Sequence, residues 1–208
     1  MSPRLQPAGV LGKMSSWQSV QLSSITPQPW RNGGGSTREL LAWPQSTQWQ
    51  LRISLASIEA DGPFSAFPGV QRWFAVVSGS GVCLRWPDRE RQVLAGQEPV
   101  QFDGANAPHA RLINGPTLDL NLMLQGAGVR GTLSRAWPGE DQQLGSGWCG
   151  LYAAGAGQLQ HAGSHEPVLD INAAALLWKL TSQPGRLRWQ GQAPAWWIHA
   201  ELPGDLRA

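Results

Sequence analysis

The chain has 208 residues, enough for one domain with a sizeable core or for two smaller units sharing an interface. Only 14% of the residues are charged, the formal net charge is +2 and the basic residues are scattered, so the electrostatic footprint of a nucleic-acid binder is missing. The sequence has no apolar run near the ~20 residues of a membrane-spanning helix, no secretory signal and only two cysteines, Cys83 and Cys149, without a CxxC; this excludes a disulfide scaffold and points to the reducing cytoplasm.

Residues 1–14 carry two prolines and two glycines with no periodicity and read as a tail. The run Pro29 to Leu40, PWRNGGGSTREL, then sets three consecutive glycines among Arg31, Asn32, Ser36, Thr37, Arg38 and Glu39. Glycine loses more conformational freedom on folding than any other residue. The run therefore reads either as main chain brought close to a ligand, with N–H groups of Gly33, Gly34 and Gly35 offered to an anion, or as a solvated surface loop. Trp49 to Leu55 alternates, with Trp49, Leu51, Ile53 and Leu55 on one face and Gln50, Arg52 and Ser54 on the other, which predicts a half-buried strand. Glu59 to Gly69, rich in proline and glycine, predicts a long shaped loop in which Phe64 and Phe67 look like a plug on the core. Val70 to Val77 and Val82 to Trp86 predict strands joined by a hairpin turn at Ser78 to Gly81. Short extended pieces follow at Gln92 to Leu94 and Val100 to Phe102. Leu118 to Leu124 alternates again, leaving Asp119, Asn121 and Met123 opposite four leucines.

Past Gly126 the pattern loosens into a connection through Gly139, Glu140 and Asp141. Gly150 to Leu159 then repeats the strand, GxG and strand grammar of Trp73 to Leu84, which suggests duplication. Ile171 to Lys179 fits a helix or a strand, and Arg186 to Leu202 continues in extended, tryptophan-rich pieces. Many short strands with frequent turns predict an all-β barrel or sandwich. The twelve tryptophans fit core and interface filling better than a stacking platform for sugars.

Four motifs in order, PWRNGGGSTREL, WQLRISLASIEADGPFSAFPGVQRWF, PVQFDG and LINGPTLDLNLM, resemble the HutD/Ves family of small bacterial proteins; the likeness covers Trp17 to Met123. It implies a bicupin, two cupin-like β-barrels of jelly-roll type in one chain, here with boundaries at 15–126 and 127–208. It also implies a role in controlling histidine utilisation, with N-formylglutamate or a related intermediate as ligand.

The chemistry that the residues allow is narrower. His109, His161, His165 and His199 make no HxH pair, so the metal centre of oxidative cupins is not expected. Neither GxSxG, a Walker loop nor a dinucleotide fingerprint occurs, and no cofactor is expected. Glu39 and Asp119 could serve an enzyme as base, a metal-free isomerase or hydrolase being the alternative, but a binding protein is the better reading. Candidate ligand residues are Arg31, Asn32, Gly33, Gly34, Arg38, Glu39, Arg52, Ser54, Asp119 and Asn121, since guanidinium groups match a carboxylate two bonds at a time. Arg52 and Asp119 could instead form a structural ion pair across the sheet. Arg72, Arg111 and Asn114 are weaker candidates without a facing argument. The expected partner is a small carboxylate, with homodimer formation through a sheet edge left open.

Overall fold

The computed structural model describes residues 16–163 and 167–203, so the expected tail at 1–14 and His165 lie outside the described residues. The first part of the chain supplies β1 (Gln18–Gln21), a 3-10 turn (Leu22–Ser24), β2 (Gln28–Pro29), β3 (Gly35–Trp43), β4 (Leu51–Ile58), β5 (Gly62–Pro63), β6 (Val70–Ser78), β7 (Val82–Arg85), β8 (Glu90–Val93), β9 (Val100–Asp103), β10 (His109–Leu112) and β11 (Thr117–Gln125). The second supplies β12 (Arg130–Ala136), β13 (Asp141–Leu144), β14 (Gly147–Ala153), β15 (Gly157–His161), β16 (Leu169–Ile171), β17 (Ala175–Thr181), β18 (Gly185–Gly191) and β19 (Ala195–Glu201). No α-helix occurs among the described residues.

The strand order exposes an internal repeat. In the first half β4-β11-β6-β9 form one sheet and β5-β10-β7-β8 another; in the second, β12-β19-β14-β17 and β13-β18-β15-β16 repeat the same connectivity eight strands later. This is the double-sheet order of a jelly roll. β2 and β3 extend the first large sheet beyond β4, while β1 pairs with β17 and so joins the second half's sheet although it precedes the first half in sequence. The duplication expected from the glycine grammar is therefore topological. The sheets are four open ones facing in pairs, not closed barrels.

The predicted hairpin at Ser78 to Gly81 is a crossover instead. β6 pairs with β11 and β9, whereas β7 pairs with β10 and β8 in the opposite sheet. Two glycines make the step possible: Gly79 (φ +96°) and Gly81 (φ +114°) hold left-handed backbone, and a Cβ at either would lie 2.5 Å from a carbonyl oxygen, of Pro116 and Val93 respectively. The connection expected past Gly126 contains β12, a seven-residue strand whose polar RGTLSRA hides its pairing with β19. Of the two readings open for Ile171 to Lys179 the strand holds, with a turn at Ala174 (φ +54°) separating β16 from β17.

Alternation along β4, β6 and β11 places residues on two different cores. Leu51, Ile53 and Leu55, Trp73, Ala75 and Val77, and Leu120, Leu122 and Leu124 face the second half, where they meet Trp148, Tyr152, Trp178, Trp196 and Ile198. Their neighbours in sequence, including Ile58, Phe74 and Val76, face the small sheet of their own half, with Leu84, Trp86 and Phe102. A third cluster fills the second half. Polar ties fasten the two halves: Arg135 Nε donates to the Gly96 carbonyl at 2.6 Å and its backbone N–H to Glu98 at 3.1 Å. Seven tryptophans are buried in these cores, as core filling requires.

The two interiors differ. In the second half the Trp189 indole is fully buried and lies where glycines leave room, since a Cβ on Gly157 or Gly191 would come within 2.2–2.3 Å of its ring. The first half instead keeps a cavity, lined by residues of β4, β6 and β11.

Candidate functional site

The glycine run folds into the turn between β2 and β3. Gly33 (φ +70°) supplies the left-handed residue, its N–H donates to the Trp30 carbonyl at 3.0 Å, and the Gly34 N–H donates to Asn32 Oδ1 at 3.1 Å. Gly35 is required by close approach, because a Cβ there would lie 2.0 Å from the Ser57 carbonyl oxygen on β4. The glycine N–H groups thus shape the turn internally, and Gly33 and Gly34 do not line the cavity that opens beside it.

That cavity has a volume of about 550 Å³. β4 contributes Arg52, Ser54, Ala56 and Ile58, β11 contributes Asn121 and Met123, and β6 contributes Arg72 and Phe74, every second residue of each strand. Trp30, Arg31 and Asn32 come from the turn, Phe64, Ser65 and Phe67 from the loop before β6. The Trp30 indole N–H is anchored on Thr37 Oγ1 at 2.8 Å.

Arg72 is the unusual group. It is 5% exposed, yet no carboxylate of the described residues is paired with it. Its Nη1 donates to the Ser65 carbonyl at 3.1 Å, its Nη2 to Asn121 Oδ1 at 3.3 Å, and its buried Nε has no partner. Phe64, Phe67 and Phe102 surround the guanidinium with ring centroids 5.4, 5.4 and 5.0 Å away, contacts that attract a cation without neutralising it. Burial, and secondarily repulsion from Arg52, lower its pKa to about 10. Buried charges are normally paired, so this one leaves a place for an anion.

Arg52 is the second cation on the cavity. Its Nε donates to Glu39 Oε2 at 2.6 Å, both side chains being partly exposed, so the partner is Glu39 across β3–β4 and not Asp119.

A model of the HutD family matches residues 22–196. The chain belongs to the HutD family. The Ves protein of Citrobacter koseri is 38% identical over 96 residues, 45% of this chain and 50% of that one, so the chain spans about half the length of this curated relative. HutD of Pseudomonas fluorescens SBW25 is similar in fold, with TM-score 0.78 and 22% identity over 91% of this chain and 100% of that one. A conserved protein of unknown function from Pseudomonas aeruginosa PAO1, PA5104, gives TM-score 0.74 and 26% identity over 89% and 97%. Across the HutD match the all-β, cupin-like fold holds.

Against this HutD frame the candidates divide. Arg31, Asn32, Arg52 and Ser54 meet Asn121 on one cavity, while Glu39 stands behind Arg52. Arg38 faces the other side of β3 and lines a separate shallow depression with Leu22 to Pro27 and Ala174. Arg111 lies on β10, and Asn114 is exposed in the loop after it. His109 is exposed on β10 opposite Arg85, and His199 Nε2 lies 3.0 Å from the Ser146 carbonyl. No group of three or more His, Cys, Asp or Glu that could hold a metal occurs among the described residues.

Asp119 shares the β11 face with Asn121 but lies deeper, fully buried, opposite Ala56 and Val76. Its Oδ2 accepts from Thr117 Oγ1 at 2.8 Å, and its Oδ1 has no partner. Burial lifts the carboxyl to about 8, against the smaller downward pull of the Thr117 hydrogen bond. The folded-state value is raised, so this group's contribution to stability is full below about pH 4, is lost as pH rises toward 8, and is flat beyond, because over that window the unfolded chain binds fewer protons. Asp119→Asn should therefore remove this slope and raise stability at pH 8 by up to about 5 kcal/mol. Urea denaturation at pH 5 and pH 8 measures it; an equal pH slope in both proteins would show that Asp119 is ionised in the fold.

Proposed function

We propose that the chain is a cytoplasmic bicupin, with units at 15–126 and 127–208, that binds a small carboxylate and acts as a HutD-like regulator of histidine utilisation. N-formylglutamate or a related degradation intermediate is the proposed ligand. The observation that carries the reading is Arg72, a buried guanidinium beside a cavity with no carboxylate of the described residues against it. A ligand carboxylate entering past Phe64 and Phe67 would supply the missing charge, with Asn121 and Ser54 at hand for an amide or formyl group and Arg52 or Arg31 for a second carboxylate. Family membership and the fold shared with HutD of P. fluorescens support the assignment. Binding is favoured over turnover because, of the two carboxylates considered as bases, Glu39 is engaged by Arg52 and Asp119 does not line the cavity.

Titration calorimetry with N-formyl-L-glutamate tests the reading. Arg52→Ala should weaken binding about tenfold while changing the melting temperature little, since a partly exposed ion pair contributes only about 0–1 kcal/mol. Unchanged affinity in that variant would remove Arg52 from the site, and absence of heat with the unaltered protein would reject this ligand class.

A further inference from the structure

The buried Asp119 does not line the cavity, yet it belongs to the same wall. Along β11 the residues facing the first half's interior are Met123, Asn121 and Asp119, and across β6 they meet Arg72, Phe74 and Val76 row by row. Asn121 receives Arg72, and Asp119 follows one row further in, opposite Ala56, which itself lines the cavity. Its Oδ1 is buried without a partner. The first half's interior core is apolar, built from Ile58 on β4, Phe74 and Val76 on β6, Leu84 on β7 and Phe102 on β9. The charged side chains on the faces packed against it are Arg72 from β6 and Arg52 from β4, with Thr117 its own hydrogen-bond donor. A cation without an anion and a carboxyl without a cation thus occupy one sheet face, with Asn121 between them.

We infer that Asp119 makes anion binding in this cavity proton-linked: its neutral form tolerates an anion at Arg72, its ionised form repels that anion, and a bound anion in turn opposes its ionisation. The inference rests on the carboxylate-binding reading above. Four residues of β11 separate Asp119 from the Arg72 row, roughly 13 Å along an extended strand. A unit charge at that range, with an effective interior dielectric near 20, changes affinity about fivefold to tenfold. Thermodynamic linkage requires the same factor in reverse, so a saturating anion raises the Asp119 midpoint by about 0.7 to 1 pH unit. The carboxyl titrates at about 8 and Arg72 at about 10, so the pH range below 9 reports the carboxyl.

The test uses the full chain and N-formyl-L-glutamate, by calorimetry at pH 6.5, 7.5 and 8.8, with Asp119→Asn in parallel. The infrared carbonyl stretch of the protonated carboxyl, identified by its loss in Asp119→Asn, is followed against pH with and without the anion. The expected result is affinity falling about threefold to fivefold from pH 6.5 to 8.8 in the unaltered protein, because 8.8 lies near the anion-bound midpoint and shows only part of the full factor, staying level in Asp119→Asn, and a carbonyl midpoint moved upward by the anion. If the anion binds but the midpoint stays in place, or Asp119→Asn shows the same pH dependence, the coupling is wrong and the pocket assignment stands. If no anion binds at any pH, the pocket assignment falls and takes this inference with it.

Discussion

Arg72→Gln should weaken N-formyl-L-glutamate binding at least 100-fold, about 3 kcal/mol, without unfolding the protein. The affinity loss follows from removing one partner of a desolvated, charge-assisted contact. The indifference of the fold follows from the state of the free protein, in which the guanidinium is buried, has its Nε unsatisfied and faces no carboxylate. Such a group costs desolvation energy that a neutral side chain does not, so the melting temperature of Arg72→Gln should equal or exceed that of the parent. Arg72→Lys keeps the charge but loses the two-pronged geometry and should fall between. A purely structural arginine predicts the reverse pattern, with stability lost and affinity kept. Paired calorimetry and thermal denaturation therefore separate the two roles.

Trp189→Ala should cost 3–5 kcal/mol, the range for emptying a fully buried large aromatic site. Collapse is hindered because the ring is flanked by Gly157 and Gly191, which have no side chains to move inward, and by Leu159, which faces it across the β15–β18 register. The loss should appear in urea denaturation, while carboxylate binding in the unfolding-free range remains, because the cavity lies wholly in the first half. A cost below about 1 kcal/mol would mean that the second half's interior is loosely packed.

Much of the cavity was legible where alternation was clean. WQLRISL and LDLNLML each carry apolar residues at every second position, and the residues between, Arg52 with Ser54 and Asn121 with Asp119, do point together into the first half. Arg72 was harder because β6, VQRWFAVVS, is buried on both faces and so shows no alternation to say which way an arginine points. A weak signal existed, an arginine two residues before Phe74 in a strand with no other charged residue. β3 was masked by the glycine run that ends at its first residue; left-handed backbone at Gly33 and close approach at Gly35 explain glycines beside a nine-residue strand. β12 was masked by polar residues, since just Leu133 and Ala136 of its seven are buried. The crossover at Ser78 to Gly81 could not be told from a hairpin because glycine serves both, and sheet membership is a long-range property.

β4 serves two masters at alternate positions: Arg52, Ser54 and Ala56 turn toward the cavity, Leu51, Ile53 and Leu55 toward the second half. A point change there disturbs one client. Adding or deleting a single residue would rotate all of them at once, driving a guanidinium into the seam between halves and leucines into the vestibule, so the length of this strand is under tighter constraint than its composition.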